Sequence, residues 1–324
     1  MFHQLTVGDA GPEVDELQQR LVDLGFEVNE PRDRFDEVTR ISVEQFQRSR
    51  GLDASGVCDS ATWRALLEAE HQFGSRPLYL ASPMLRGDDV ATLQLRLGSL
   101  GFNAGRVDGI FGPNTQRAVR DFQQNVDLVV DGVCARDTVS QLDRLTSRGG
   151  GHSIAGMRER EDLDVRATAL GGLRVAICHR GVDNALVGAL GADLHLAEAV
   201  VSVASDDDWS ALAAATNAFE ADVCLAVDVV DAVGVEIAYY STDGFQSEAG
   251  RMLAESLLRQ LPHPPGWPPS VARGMRLPIL RETRCPTVRI KIGPIDDVAE
   301  IHSLLVAAGH RALRAWTDRA TLNS

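Results

Sequence analysis

Apolar residues in the first 145 positions recur at helical spacing, interrupted by glycine-rich turns. Val90, Leu93, Leu97 and Leu100 fall on one helical face. Asp88 or Asp89 is placed to cap that helix, and Gly101 follows it as a C′ glycine. A turn, Val107-Asp108-Gly109-Ile110-Phe111-Gly112-Pro113, leads to a second helix starting near Thr115 and burying Val119 and Phe122. A further turn at Val130-Asp131-Gly132 leads to a third helix with Val139 and Leu142. The same pattern stands earlier in the chain: residues 11–66 match residues 87–142 at a constant offset of 76 without a gap. Val14 pairs with Val90, Leu17 with Leu93, Gln18 with Gln94, Phe35 with Phe111, Phe46-Gln47 with Phe122-Gln123, and Gly56-Val57-Cys58 with Gly132-Val133-Cys134. Two three-helix units follow, each small enough to close on a modest core.

The pattern changes after residue 146. Gly149-Gly150-Gly151 and the charged run Arg158-Glu159-Arg160-Glu161-Asp162 have no apolar period and predict a flexible linker. Beyond it, short apolar runs alternate with helical stretches. Val175 to Cys178, Val223 to Val227, Val235 to Tyr240 and Thr287 to Ile292 read as strands. Residues 192–203 read as helix running toward a possible strand. Asp208 caps a helix through Trp209 and Leu212, Gln246 to Gln260 is amphipathic, and Val298 to Trp316 closes the chain. Such alternation predicts α/β architecture with a mostly parallel sheet. The expected organisation is therefore a repeat at 1–72, a second at 77–147, a linker at 148–171, and an α/β domain at 172–324: two small all-α units, then one α/β domain.

Composition narrows the function classes. The 324 residues carry a net charge of −14, with 46 acidic against 32 basic residues. That balance argues against non-specific binding to nucleic acid or anionic lipid, which needs basic surface. No run of about 18 apolar residues is present, so no membrane-spanning helix is expected. The N-terminal stretch has neither a basic nor an apolar leader region, which makes cytoplasm the expected location. Five cysteines without C-x-x-C spacing do not form a disulfide scaffold; Cys58 and Cys134, at equivalent positions, read as small buried apolar residues. Lys291 is the single lysine of the chain.

The run Asp108-Gly109, Phe111-Gly112, Thr115, Ala118-Val119, Phe122-Gln123 closely resembles the peptidoglycan-binding repeat of bacterial cell-wall enzymes. The resemblance implies wall-glycan binding around Asp108, Gly109, Phe111 and Gly112, with peptidoglycan fragments as ligand. In the first copy Asp33-Arg34-Phe35-Asp36-Glu37 takes the place of this turn. Losing both glycines and the proline is expected to change the loop's allowed backbone conformations.

The α/β half resembles the zinc-dependent N-acetylmuramoyl-L-alanine amidases, most clearly in Leu280-Arg281-Glu282-Thr283-Arg284-Cys285-Pro286-Thr287-Val288-Arg289-Ile290-Lys291-Ile292-Gly293. Ala192-Asp193-Leu194 opening a helix, Ala221-Asp222-Val223 and Gly234-Val235-Glu236 support it. The resemblance implies three zinc ligands, an open position for water, and a catalytic glutamate. His179 falls near the first ligand. Gly191 stands at the glutamate ligand, with Glu198 two turns further on as a poor substitute. Asp228 stands at the second histidine, and Lys291 at the catalytic glutamate. An ammonium cannot act as the base and would repel zinc, so no catalytic residue and no zinc are expected. Lys291 also has a plain reading: Val288, Ile290 and Ile292 alternate inward and leave Arg289 and Lys291 on the other face.

The whole arrangement resembles the actinobacterial CwlM-like family of regulators, with two repeats, a linker and a degenerate amidase domain. That implies a cytoplasmic, non-catalytic regulator of peptidoglycan synthesis. Its implied partner is the UDP-N-acetylglucosamine enolpyruvyl transferase, under control of a Ser/Thr kinase, and Thr321 is a candidate phosphorylation site by location. Two other readings stand beside it: an active zinc amidase of cell-wall turnover and a plain peptidoglycan-binding module.

Overall fold

The computed structural model describes residues 4–30, 32–146, 170–180, 185–242, 244–261, 264–294 and 302–322. By contacts the chain divides into two compact units, 1–156 with 243–245, and 157–242 with 246–324. All but the last two residues of the expected linker lie outside the described residues.

The first unit holds the two repeats. Helices α1 (Pro12–Asp23), α2 (Glu37–Ser49) and α3 (Ser60–Ala69) form the first; α4 (Asp88–Ser99), α5 (Pro113–Asn125) and α6 (Arg136–Thr146) form the second. Each closes on its own core: Val14, Leu17, Leu21, Phe35, Val43, Phe46 and Leu66 in one, and Val90, Leu93, Leu97, Phe111, Val119, Phe122 and Leu142 in the other. Edge-to-face aromatic pairs recur at matching places, Phe26 with Phe46 at 5.8 Å and Phe102 with Phe122 at 5.5 Å. Cys58 and Cys134 are buried and free, each in a backbone bridge with the segment preceding the first helix of its repeat, to Leu5 and Leu78. Burial pushes the Cys58 thiol well above its ordinary value, and pushes Cys134 up to about 12.

Two boundaries differ from expectation. The N-cap of α4 is Gly87, and neither Asp88 nor Asp89 caps it. Asp89 is buried in the first turn and receives the Arg76 guanidinium at 2.7 Å. Helix α5 starts at Pro113 rather than near Thr115, because proline at the first helical position has no N–H to leave unpaired.

The second unit is an α/β domain. Its described strands are β1 (Arg174–His179), β2 (Val200–Ser205), β3 (Val223–Val229), β4 (Gly234–Thr242), β5 (Phe245–Gln246), β6 (Val271–Met275) and β7 (Thr287–Gly293). They order as β2-β1-β3-β7-β4-β5, with β6 also paired to β4. The pairs β1–β2, β1–β3, β3–β7 and β4–β6 are parallel, and β4–β7 is antiparallel. The sheet is thus mixed and mostly parallel. Its helices are α7 (Ala185–Leu196), α8 (Trp209–Ala218), α9 (Glu248–Gln260), α10 (Pro278–Glu282) and α11 (His302–Leu322). Val175, Ile177, Leu225, Val235, Ile237, Ile290 and Ile292 form one sheet face, packed with residues of α7, α9 and α11 such as Leu190, Leu253 and Leu313. Asp208 caps α8 by accepting from the Ser210 N–H, as its position implied.

Here too the elements correct the expectation. Ala192-Asp193-Leu194 lies near the end of α7 rather than opening a helix, and 200–205 is the edge strand β2. Strands β5 and β6 and the short helix α10 carry no apolar period long enough to signal them. Helix α11 runs past Trp316 to Leu322, so Thr321 lies within a helix. Among the described residues no helix is long and apolar enough to cross a membrane.

Candidate functional site

Parallel α/β sheets place their sites at the carboxyl ends of the strands. Here β1 ends on His179, β3 carries Asp228 and β7 carries Lys291 near that edge. Strand register decides which side chains share a face. Asp228 lies opposite Lys291, and Lys291 opposite Glu236 of β4. Arg289 lies opposite Ala226 and Ala238, one step further along the same face. Arg273 of the unforeseen strand β6 lies opposite Ala238. His179 is in register with Val227, on the alternate parity, so it belongs to the other face.

The shared face carries a charge cluster. Arg289 is fully buried, with its guanidinium 3.7 Å from Asp228 Oδ2 and 3.6 Å from Glu236 Oε1. One of its nitrogens also reaches Met275 Sδ at 3.7 Å. Arg273 Nε stands 3.3 Å from the second Glu236 oxygen. Two carboxylates and three cations thus occupy one end of the sheet. The sequence placed Arg289 and Lys291 on this face correctly, but the face is not open, and Arg289 is enclosed. A signal for this was present. Two cations on one side of an apolar strand need carboxylates on the neighbouring strands, and β3 and β4 each supply one in register.

The positions that the resemblance assigned to zinc do not form a donor set. Gly191 has no donor, and a Cβ there would meet Val203 at 3.4 Å and Ile177 at 3.7 Å, inside the packing of α7 on the sheet. Glu198 precedes β2, whose start pairs with Arg174 at the opposite end of β1 from His179. His179 is 6% exposed, and its Nδ1 has no hydrogen-bond partner among the described residues. Asp228 faces Arg289 and Lys291, which compete with any cation for its oxygens. Among the described residues, no group of three or more His, Cys, Asp or Glu side chains is disposed to hold a metal ion. Gly293 of the same motif has a packing role: a Cβ there would sit 1.8 Å from the Val230 carbonyl oxygen.

In the second repeat the structure brings Asp108, Gly109, Phe111 and Gly112 together in one turn and uses them internally. Phe111 is fully buried. Gln94 organises the turn: its amide donates to Asp108 Oδ1 at 2.8 Å, to the Ile110 carbonyl and to Thr115 Oγ1. Its Oε1 accepts from the Asp108 and Gly109 N–H groups. In the first repeat Gln18 does the same, donating to the Arg34 carbonyl and Thr39 Oγ1 and accepting from the Asp33 N–H. Asp33 adopts φ +100° where Gly109 has +71°. The expected change of loop conformation is therefore corrected: the buried glutamine holds the turn, and an aspartate takes the left-handed position.

A family model described as a putative peptidoglycan binding domain matches residues 10–66 and 86–142. The chain is 33% identical to the N-acetylmuramoyl-L-alanine amidase CwlM of Mycobacterium tuberculosis, over 90% of this chain and 82% of that protein. It is 28% identical to the N-acetylmuramoyl-L-alanine amidase CwlL of Bacillus licheniformis, over 44% of this chain and 45% of that protein. Among solved structures, the amidase AmiC2 of Nostoc punctiforme overlaps 45% of this chain and 97% of its own at a TM-score of 0.37 and 16% identity.

Proposed function

Since the chain belongs to the family of the N-acetylmuramoyl-L-alanine amidase CwlM, we propose that it is a non-catalytic member acting in the cytoplasm by protein–protein contact as a regulator of bacterial peptidoglycan synthesis. The observation that carries this reading is the charge cluster. Arg289 and Lys291 share a sheet face with Asp228, where a hydrolase would need a water-activating metal and a carboxylate base. The partner implied by the resemblance is the UDP-N-acetylglucosamine enolpyruvyl transferase. The two repeats supply a second ligand class, muropeptides, from the peptidoglycan-binding motif they match.

The test begins with metal content. After purification in zinc-containing buffer and desalting, the expected protein is essentially zinc-free and does not release peptide from muramoyl-peptide. Stoichiometric zinc, lost in His179→Ala together with muramoyl-peptide hydrolysis, overturns the reading in favour of an active amidase. For the partner, a crosslinked pulldown is expected to enrich the enolpyruvyl transferase. Enrichment of no wall-synthesis enzyme removes the regulatory reading.

A further inference from the structure

Three of the five free cysteines belong to the α/β domain, and two of them meet beneath α8. Cys178 of β1 and Cys224 of β3 lie on the same sheet face, because Cys178 is in register with Ala226 and Cys224 with Ala176. The Cys224 thiol points at the Cys178 sulfur across 3.9 Å. The Thr216 hydroxyl of α8 lies 3.3 Å from Cys178 Sγ and 3.8 Å from Cys224 Sγ. Both thiols are buried, Cys178 at 1% exposure and Cys224 at none. Buried cysteines ordinarily serve as small apolar residues, and Cys58 and Cys134 fit that role, each alone in its repeat. This pair differs, because each sulfur has another thiol as its neighbour.

We propose that Cys178 and Cys224 form an oxidisable dithiol, converted by hydroperoxides to an intramolecular disulfide that ties β1 to β3. The Cys178 thiolate attacks the peroxide oxygen, giving a sulfenic acid and hydroxide. The Cys224 sulfur then attacks the Cys178 sulfur and releases water. In sum two thiols and one hydrogen peroxide give one disulfide and two waters. Bridging requires the sulfurs to close from 3.9 Å to about 2.05 Å. Because the two cysteines are offset by two residues on adjacent strands, a spacing of about 7–8 Å between Cα atoms, it also requires a local shift of the strand backbone. The roles follow from the contact. The hydrogen bond from Cys224 holds the Cys178 thiol below its ordinary value against burial. The same contact and burial push Cys224 well above its own. Cys178 is therefore the attacking sulfur and Cys224 the resolving one. An oxidant reaches them when α8 opens locally from the sheet, so the reaction is slower than at an exposed thiol. Cys285, 6% exposed with its sulfur 3.8 Å from Thr287 Oγ1, is the competing thiol of the domain.

The experiment uses the full chain, reduced, desalted and treated with hydrogen peroxide under native conditions. Remaining thiols are then alkylated in denaturant, and the protein is mapped by mass spectrometry. The expected result is loss of two alkylatable thiols, a mass lower by two hydrogens, and one crosslinked peptide joining Cys178 to Cys224. Cys285→Ser is expected to form the same product. Cys178→Ser and Cys224→Ser, checked for native circular dichroism, are expected to lack it. The oxidised wild type is expected to show a higher denaturation midpoint than the reduced form. The proposal is overturned if all five thiols survive oxidation in the folded protein. It is equally overturned if the disulfide joins Cys285 or links two chains. Should either serine variant fail to fold, the peptide map of the wild type alone decides.

Discussion

In the first repeat, Asp33 takes the left-handed position that Gly109 holds in the second, and the turn survives because Gln18 still binds it as Gln94 binds its counterpart. In the α/β domain, β3 and β7 keep their parallel register, yet Gly191, Asp228 and Lys291 leave no donor set at its end. Both regions depart from a motif, with opposite outcomes. A turn motif is mostly scaffold, and one buried side chain with several hydrogen bonds can hold it through substitutions. A metal motif is made of lone pairs, and a lysine or glycine cannot supply what a carboxylate or imidazole did.

The comparison breaks most sharply at Arg289. If the cluster has become scaffold, removing its central cation must destabilise the sheet. Arg289→Ala takes from Asp228 and Glu236 the buried guanidinium they share and leaves Lys291 alone between them, with an expected loss of about 3 kcal/mol. Denaturant melts followed by tryptophan fluorescence check this, since Trp209, Trp267 and Trp316 belong to the α/β domain and Trp63 alone to the repeats. A loss below about 0.5 kcal/mol, the level of an ordinary surface change, would mean the cluster does not hold the strands together.

Next in size come the glutamines. Gln94→Ala strips the Asp108 and Gly109 N–H groups of their acceptor and removes three donated bonds. The expected cost is about 2 kcal/mol. Gln18→Ala is expected to cost the first repeat a similar amount, because the glycine-free turn depends on the same anchor. If Gln18→Ala is neutral while Gln94→Ala is not, the first turn is held by something other than its glutamine.

How far these features are legible in the sequence depends on what encodes them. The repeats declare themselves through core spacing and an offset without gaps, so α1 to α6 are visible almost to their ends. Gln18 and Gln94 are visible as matched letters, but their role is not, because a buried amide that ties a turn has no period. In the α/β domain, β1, β3, β4 and β7 show as apolar runs. Strand β6, Val-Ala-Arg-Gly-Met, is too polar and short to show, and with it Arg273 and half of Glu236's surroundings stay hidden. The faces of the charged residues follow from alternation along β7. That His179 belongs to the other face needs the register between strands, which no single segment carries.

A smaller effect tests the aspartate that replaced glycine. Asp33 at φ +100° is strained as a non-glycine residue. Asp33→Gly is expected to stabilise the first repeat by about 1 kcal/mol, read as slower exchange of amides in α1 and α2. The reverse change in the second repeat is expected to cost more, since a Cβ at Gly109 would stand 3.0 Å from the Gly87 carbonyl oxygen. Equal and opposite effects would mean that only φ matters.

The smallest expected effect separates the two repeats by acid. In the first repeat the Thr39 N–H, with the Asn29 amide and the Thr39 hydroxyl, holds the Asp36 carboxyl below its ordinary value. In the second, Gly112 stands at that position, and the lowered carboxyl is instead Asp131 in the following turn, held by the Val133 N–H and by Gln123. A carboxyl lowered in the folded state stabilises above its unfolded value of about 4, and the contribution disappears as pH falls through the folded value. Below about pH 4 the first repeat should therefore loosen at the start of α2, and the second at the turn before α6. Hydrogen exchange of the Thr39 and Val133 amides, each corrected for intrinsic pH dependence, reads the two separately. Asp36→Asn should remove the acid response at Thr39 and leave Val133 unchanged, and Asp131→Asn should do the reverse. If both amides respond to either change, the repeats unfold in acid as one body and the two turns are not independent.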